Sequence, residues 1–487
     1  MPQPPIAPRR PIVRVHHGDE FVDDYEWLRD SDDPETLAYL EAENTWTEER
    51  VAHLEELRQT IFQEIKDRTQ ETDLSVPVRH RSWWYYSRIV EGQQYAVRCR
   101  APLSDPDDWT PPVLDADVDI PGEEVLLDGN AEADGHDFFS LGGFSLSDDD
   151  HLLAWSVDTK GDERYTIRVK DLRTGELLPD EVPGTSGGIT WSGDARYFFY
   201  TTVDEAWRPH RIWRHELGVI DEDALVYEET DERFFTGIGR TQSEKYLAIG
   251  SGSKITSEAR VLDASDPTGE FTVVWPRETG VEYSLEHAVL NGEDRFLVLH
   301  NREAINFALV SVPADGPYDA TVDVLPHRGD VRLEDIDVFA GQVLVQYRRA
   351  ALSRVGVMRI TDGRLGELTE IDFGEELVAC GVGANAEWDQ PVVRLGYGSF
   401  VTPSTVVDYT VATGGMKVLK RAPVLGGYDP ADYQQHRIWA TADDGTQIPI
   451  SIVHRSDTPR DGSAPALLYG YGAYEACIDP SMSISRL

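Results

Sequence analysis

The sequence predicts a mainly β fold, a seven-bladed β-propeller that follows a helical segment at the N-terminus. Two observations support this prediction. Short β-rich runs, separated by clusters of Asp, Gly, Ser and Pro, fill the chain from about residue 76 to about residue 420. These runs also recur at a nearly constant spacing. With 487 residues, of which 40% are hydrophobic, the chain is long enough for two or more domains with buried cores.

The N-terminal part carries a helical pattern. Asp33 is a suitable cap, Pro34 fits the first helical turn, and Glu35 complements the helix dipole. Apolar side chains then recur at three- and four-residue steps, which predicts one or two amphipathic helices across 34–66.

The β-rich part repeats a unit in which a polar turn precedes an apolar strand, as in LSDDDHLLAWS and WSGDARYFFYT. Seven such units begin near Val78, Ser147, Ser192, Thr241, Asn291, Val338 and Glu387, at steps of 69, 45, 49, 50, 47 and 49 residues. A period of about fifty with short strands is typical of a β-propeller, and β-branched and aromatic alternation disfavours a helical solenoid. The long first step predicts an insertion in the acidic stretch 122–137.

The repeat fades after Lys420. A hairpin is predicted next, with its turn at Asp444 and Gly445. An apolar run at 464–468, followed by Tyr-Gly-Tyr-Gly, predicts a buried strand that opens into a loop. Because α/β enzymes place their sites in loops after strands, Tyr471 is a candidate site residue.

The Tyr471 hydroxyl could donate to the oxygen of a tetrahedral intermediate, a contact worth about 3 kcal/mol of barrier. The alternative is an aromatic side chain that packs an interface, and Tyr469 and Tyr474 nearby fit that role equally well. Position alone leaves both open.

Composition excludes several function classes. The chain has 45 basic and 88 acidic residues, a net charge of −43, which disfavours nucleic acid and anionic membranes. A cationic peptide would be attracted, although such a surface is also typical of plain solubility. The three cysteines, Cys99, Cys380 and Cys477, show no disulfide or metal spacing, and no histidine motif for metal occurs, so no cofactor or metal is expected. Without an apolar leader or a long apolar run, we expect a soluble cytoplasmic protein.

One G-x-S-x-G match occurs, centred on Ser186. A nucleophile elbow needs an apolar strand before the serine and a helix after it. Val182-Pro183 precedes this match and Ile189-Thr190-Trp191 follows it, so we expect a turn entering a blade strand rather than a catalytic serine.

Several phrases resemble the prolyl oligopeptidase family of serine peptidases, most closely its oligopeptidase B branch. They are HGDEFVDDYEWLRD, YLEAEN, SWWYYSRIVEGQQYAVRCR, GTSGGITWSGDARYFFY, RETGVEYSLEH, RLEDIDVF and LLYGYGAYE. The resemblance implies a helical extension of the catalytic domain at 1–75 and a seven-bladed propeller at 76–420 that restricts access to short peptides. It also implies the first strands of an α/β-hydrolase peptidase domain at 421–487.

The resemblance also implies roles for individual residues. Tyr471 matches the oxyanion donor, and Tyr474 matches an aromatic that shapes the primary pocket. Two carboxylates that hold the basic residue preceding the cleavage-site residue match Asp479 and Ser481. Because Ser481 carries no charge, the resemblance does not imply a strong dibasic preference, although a single carboxylate can still pair with Arg.

The family's nucleophile, acid and histidine are expected beyond Leu487, so the chain looks truncated and is predicted to be inactive alone. The full-length form is predicted to hydrolyse short, basic peptides after Arg or Lys. The alternatives are a non-catalytic propeller that binds partners, a prolyl-specific relative, and a separately encoded C-terminal piece that restores activity. The oligomeric state stays open.

Overall fold

The computed structural model describes residues 3–116, 118–220 and 222–485. The described chain divides into two compact units. One contains residues 3–70 with 484 and 485, and the other contains residues 71–483.

The first unit contains a hairpin and two helices, which are β1 (Ile12–His16), β2 (Asp19–Asp23), α1 (Pro34–Val51) and α2 (Glu55–Asp67). The predicted helix start is confirmed, since the Asp33 carboxylate accepts a hydrogen bond from the Glu35 backbone N–H at 2.9 Å. A short 3-10 turn, Ala52–Leu54, separates the two helices. Their apolar stripe stays largely exposed, at Leu37, Leu40, Leu57, Ile61 and Phe62.

The second unit consists almost entirely of antiparallel strands. Their bounds, with those of one short helix, are β3 (Asp73–Leu74), β4 (Val78–His80), β5 (Trp83–Ile89), β6 (Val97–Pro102), β7 (Glu124–Asp128), α3 (Gly129–Ala133), β8 (Ser140–Leu146), β9 (Leu152–Asp158), β10 (Tyr165–Asp171), β11 (Leu177–Trp191), β12 (Tyr197–Val203), β13 (Pro209–Glu216), β14 (Ala224–Glu228), β15 (Phe235–Arg240), β16 (Tyr246–Gly252), β17 (Ser257–Asp263), β18 (Thr272–Val273), β19 (Tyr283–Leu290), β20 (Glu293–His300), β21 (Ala308–Pro313), β22 (Val322–Leu325), β23 (Val331–Val338), β24 (Gln342–Arg349), β25 (Leu352–Thr361), β26 (Arg364–Leu365), β27 (Thr369–Glu370), β28 (Ala379–Val382), β29 (Val392–Gly398), β30 (Thr405–Thr410), β31 (Gly415–Arg421), β32 (Tyr433–Thr441) and β33 (Gln447–Arg455).

In the described ranges, strands β3 to β31 form six sheets, which are β3–β7, β8–β14, β15–β18, β19–β22, β23–β27 and β28–β31. The mainly β, propeller-type architecture is confirmed, but the predicted seven separate blades are not. The difference arises at β11, which has 15 residues. This strand pairs with β10 as far as Thr185 and with β12 from Thr185 to Trp191, so two predicted units share one sheet.

The core lies between successive sheets, because a sheet with neighbours on both faces buries both sets of side chains. Leu297 of β20 and Val343 of β24 are fully buried in one such cluster. Leu344 and Val407 are fully buried in the next. This double burial explains why the central strands read as nearly continuous apolar runs.

The first and last sheets meet through side chains. The Lys420 ammonium donates to the Asp73 carboxylate at 2.6 Å and to the Leu74 carbonyl. The Arg394 guanidinium donates to the Pro77 carbonyl and pairs with Asp408 at 3.0 Å. Basic side chains of the last sheet thereby hold the backbone that begins the first sheet.

Two sequence-based expectations are wrong. The stretch 122–137 is not an irregular insertion, since it contains β7 and α3, and the irregular chain lies before it. The apolar run 464–468 is not a buried strand. It is irregular, with Leu467 83% and Leu468 89% exposed. A strand needs a neighbour for its backbone hydrogen bonds, and no described strand pairs with this run.

The hairpin before that run is confirmed. Strands β32 and β33 pair along their whole length. Gly445 in the turn has φ +86°, a left-handed conformation that favours glycine. Among the described helices, none combines the length and the apolar character needed to cross a bilayer.

Candidate functional site

The residues predicted to form the site lie in one segment, 471–481, which we call the site loop. Tyr471 stands between Gly470 and Gly472 at its start, and its side chain is 57% exposed. The side chain is therefore accessible from solvent. Its predicted role stays a prediction.

A strained turn shapes the middle of the site loop. Tyr474 and Glu475 both have left-handed backbones, with φ of 56° and 61°. Each such residue costs about 1 kcal/mol or more, so surrounding contacts must hold the turn. The Lys254 ammonium lies 5.4 Å from the centroid of the Tyr474 ring, and the Glu475 carboxylate pairs with Arg332 of β23. The Tyr474 ring is nevertheless 85% exposed and open to a ligand.

Asp479 holds a guanidinium group. Two nitrogens of Arg348, on β24, donate to the two Asp479 carboxylate oxygens at 2.8 and 2.7 Å. This two-bond geometry is the one that carboxylates use to recognise arginine. The hydrogen bonds to Asp479 hold the pKa of the Arg348 guanidinium above its ordinary value.

Arg348 has a second acidic partner. Its Nε donates to the Glu334 carboxylate at 2.7 Å. Glu334 lies where the register of β23 and β24 shifts between Leu333 and Asp335, so it is an extra residue of the kind found in a β-bulge. Glu334 and Arg348 lie on neighbouring strands beside this irregularity, so their side chains can meet.

A second guanidinium group lies close to Asp479. Burial lowers the pKa of Arg437 on β32, the Arg354 charge lowers it further, and the Asp479 charge opposes both. The Arg437 Nε is buried and has no hydrogen-bond partner among the described residues. Asp479 is thus paired with Arg348 and attracts a second basic group, Arg437. Ser481, two residues later, is exposed and contributes no charge.

Ser186 lies inside β11, and the next element is the strand β12. It is not at a strand-to-helix turn, which agrees with the expectation that this G-x-S-x-G match is not a nucleophile elbow. Within the described ranges, no group of three His, Cys, Asp or Glu side chains is arranged to hold a metal ion.

Sequence reasoning missed the basic side chains that hold the site loop. Arg348 and Asp479 are 131 residues apart, and the residues around Arg348 show no motif. The only sequence signal for the position of Arg348 was the alternation of side chains along β24, which places Arg348 on the same face as Gln346.

Sequence reasoning also missed a group of acidic side chains on β19 and β23, which are the first strands of two successive sheets. Burial raises the pKa of Glu286, on β19, to about 7, and repulsion from Asp337 and Asp335 of β23 adds to the shift. Burial raises the pKa of Asp337 to about 6. The Glu286 carboxyl accepts a hydrogen bond from the Gln242 backbone N–H at 3.0 Å.

The antiparallel sheets of the second unit match the propeller part of a peptidase family. A family model described as "Prolyl oligopeptidase, N-terminal beta-propeller domain" matches residues 4–422. The chain belongs to the prolyl oligopeptidase family.

Named relatives agree with this assignment. Dipeptidyl aminopeptidase BI of Pseudoxanthomonas mexicana is 39% identical over 492 residues, which cover 99% of this chain and 67% of the relative. Protease 2 of Moraxella lacunata is 35% identical over 99% of this chain and 68% of its own length. The chain therefore spans about two thirds of the length of these relatives.

Two solved structures of oligopeptidase B have a similar fold. Oligopeptidase B from Trypanosoma brucei, in a closed form with covalently bound antipain, is 33% identical with a TM-score of 0.90, over 100% of this chain and 70% of that one. Oligopeptidase B from Leishmania major is 31% identical with a TM-score of 0.90, over 99% of this chain and 69% of that one.

Proposed function

We propose that this chain forms the substrate-selecting part of a serine oligopeptidase that cleaves short peptides after Arg or Lys. In this proposal Asp479 binds a basic residue that precedes the cleavage-site residue, Tyr474 lines the primary pocket, and Tyr471 donates to the oxyanion. In the same proposal residues 421–487, which include the site loop, contribute to an α/β-hydrolase domain, and the propeller at 76–420 limits the size of the peptide.

One observation carries the proposal. Asp479 binds a guanidinium group through two hydrogen bonds, so its position and orientation already fit the side chain of arginine. The net charge of −43 supports the same class of peptide, because it attracts cations over long distances. Ser481 adds no second carboxylate, so the preference at this position is expected to be moderate.

We expect the 487-residue chain to bind such peptides without hydrolysing them. Serine acyl transfer needs a nucleophile, a base within hydrogen-bond reach and an orienting carboxylate, and Ser186 inside β11 is not placed for that role. Hydrolysis by this chain that disappears in Ser186→Ala would contradict this expectation. We keep a cytoplasmic location as part of the proposal.

A peptide series tests the proposed specificity. Acetylated tetrapeptides with Arg, Lys or Pro at the cleavage-site position would be titrated into the chain and followed calorimetrically. Tighter binding of the Arg and Lys peptides supports the proposal, and tighter binding of the Pro peptide would favour a prolyl-specific relative. Equal binding of all three would favour a non-catalytic propeller.

A second candidate comes from the relative named dipeptidyl aminopeptidase, which is 39% identical. If this chain serves dipeptide release, Asp479 would bind the N-terminal ammonium group of a peptide instead of a side chain. Acetylation separates the two candidates. A peptide whose binding is lost on acetylation supports dipeptide release, and one that binds equally well in both forms supports internal cleavage.

A further inference from the structure

The carboxylate assigned to the substrate already has an occupant. Arg348 is only 19% exposed, Asp479 is 27% exposed, and their two hydrogen bonds use both carboxylate oxygens. A carboxylate engaged in this way has no free oxygen in the plane that a second guanidinium would need for the same geometry. An incoming basic residue that adopts the same two-bond geometry therefore has to displace Arg348.

We propose that Arg348 is a specificity-determining residue that competes with the basic residue of the peptide for Asp479. This inference rests on the proposed function, since it assumes that Asp479 binds the peptide. Arg348 imitates the ligand, because it presents the same guanidinium group in the same two-bond arrangement.

Glu334 makes the exchange feasible. A guanidinium group that loses its only carboxylate is left partly buried without a partner, which is strongly unfavourable. Arg348 does not face that state, because its Nε keeps the Glu334 carboxylate at 2.7 Å when Asp479 is released. Glu334 thus supplies an acceptor for the displaced residue.

The same arrangement favours Arg over Lys in the peptide. Displacing a two-bond guanidinium costs two charge-assisted hydrogen bonds, and another guanidinium restores both of them. A Lys ammonium is a point charge that cannot reproduce the planar pair. Arg437, whose Nε is buried without a described partner, repels every incoming cation alike and so does not discriminate between the two.

The test is a calorimetric titration of acetyl-Ala-Arg-Arg-Ala-amide into the chain, with the peptide carrying citrulline at the first Arg as the neutral control. The proteins are the wild type, Arg348→Gln, Asp479→Asn and the double variant. Arg349→Gln is the matched control, because Arg349 is the next residue on β24 and pairs with Glu370 instead. We expect Arg348→Gln to bind the Arg peptide about tenfold more tightly than the wild type, and Arg349→Gln to match the wild type.

In the Asp479→Asn background, Arg348→Gln should bring no further gain. Arg348→Lys keeps the positive charge but loses the two-bond geometry, so it should give a smaller gain and guards against a folding defect in Arg348→Gln. The citrulline peptide should bind equally to all these variants.

The outcomes separate the two claims. If Asp479→Asn weakens binding of the Arg peptide but Arg348→Gln and Arg348→Lys bind no more tightly than the wild type, the peptide site stands and the competitor role is wrong. If Asp479→Asn leaves binding unchanged both with and without Arg348, the proposed peptide site is wrong, and the competitor role falls with it.

Discussion

The Glu286 carboxyl makes stability depend on pH in a direction that the structure determines. Its pKa in the folded state is about 7, against an ordinary value of 4.5, because the group is largely removed from water and faces Asp337 and Asp335. A folded-state pKa above the unfolded value means that the folded protein binds the proton more tightly. The contribution of Glu286 to the free energy of unfolding is therefore highest below about pH 4.5 and falls as the pH rises to about 7.

The size of the effect follows from the shift. At about 1.4 kcal/mol per pKa unit, a change from 4.5 to about 7 corresponds to a ceiling of about 3 kcal/mol. Because the side chain keeps some contact with solvent, which weakens the repulsion from Asp337 and Asp335, we expect about 1 to 2 kcal/mol. Glu286→Gln keeps an oxygen for the Gln242 backbone N–H and removes the charge, so it should stabilise the chain by this amount at about pH 8 and leave stability almost unchanged at about pH 4.5.

Urea unfolding, followed by tryptophan fluorescence between about pH 4.5 and about pH 8, measures this difference. Glu293→Gln is the control, since the Glu293 side chain at the start of β20 is 74% exposed. Its difference from the wild type should be flat across the range. A flat difference for Glu286→Gln, or one that falls as the pH rises, would show that Glu286 is ionised in the folded state without a penalty.

Three further predictions concern other parts of the chain. Lys420→Met removes the contact between the last sheet and Asp73. Because both side chains are about 30% exposed, it should lower the free energy of unfolding in urea by only about 1 kcal/mol, and the control Lys417→Met should not lower it measurably. Equal effects would contradict the role of Lys420 in joining the two sheets. The double variant Leu467→Ser, Leu468→Ser should lower the fluorescence of a bound hydrophobic dye, whereas Leu297→Val in the core should not. Unchanged dye fluorescence in the double variant would mean that the apolar run 464–468 is covered in solution. Tyr471→Ala should lower the free energy of unfolding by less than about 0.5 kcal/mol, because the side chain is exposed, and a loss above about 1 kcal/mol would instead favour the packing role.

Much of the fold could be predicted because its signals are local. The turn-then-strand phrases recur along the chain, and Asp33 with Pro34 marks the start of α1 within a few residues. The number of separate sheets was not predictable in this way. It depends on how far β11 extends through the glycine-rich stretch around Thr185, and that extension is decided by pairing with strands on both sides.

The failure at 464–468 has a related cause. The sequence of an apolar run of five residues does not show whether a neighbouring strand will cover it. Here no described strand pairs with the run, and Leu467 and Leu468 are exposed. The site loop shows the same limit. Its tyrosines and Asp479 could be selected from the sequence through a resemblance, but the partner of Asp479 depends on tertiary contacts with Arg348 far away in the chain.

The central claim is that Asp479 selects a basic residue in the peptide. The most direct measurement is the ratio of two dissociation constants, for acetyl-Ala-Arg-Arg-Ala-amide and for its counterpart with citrulline at the first Arg, in the wild type and in Asp479→Asn. We predict that the wild type binds the Arg peptide about tenfold more tightly and that Asp479→Asn binds both peptides equally. Equal binding by the wild type, or a preference that survives in Asp479→Asn, would contradict the claim.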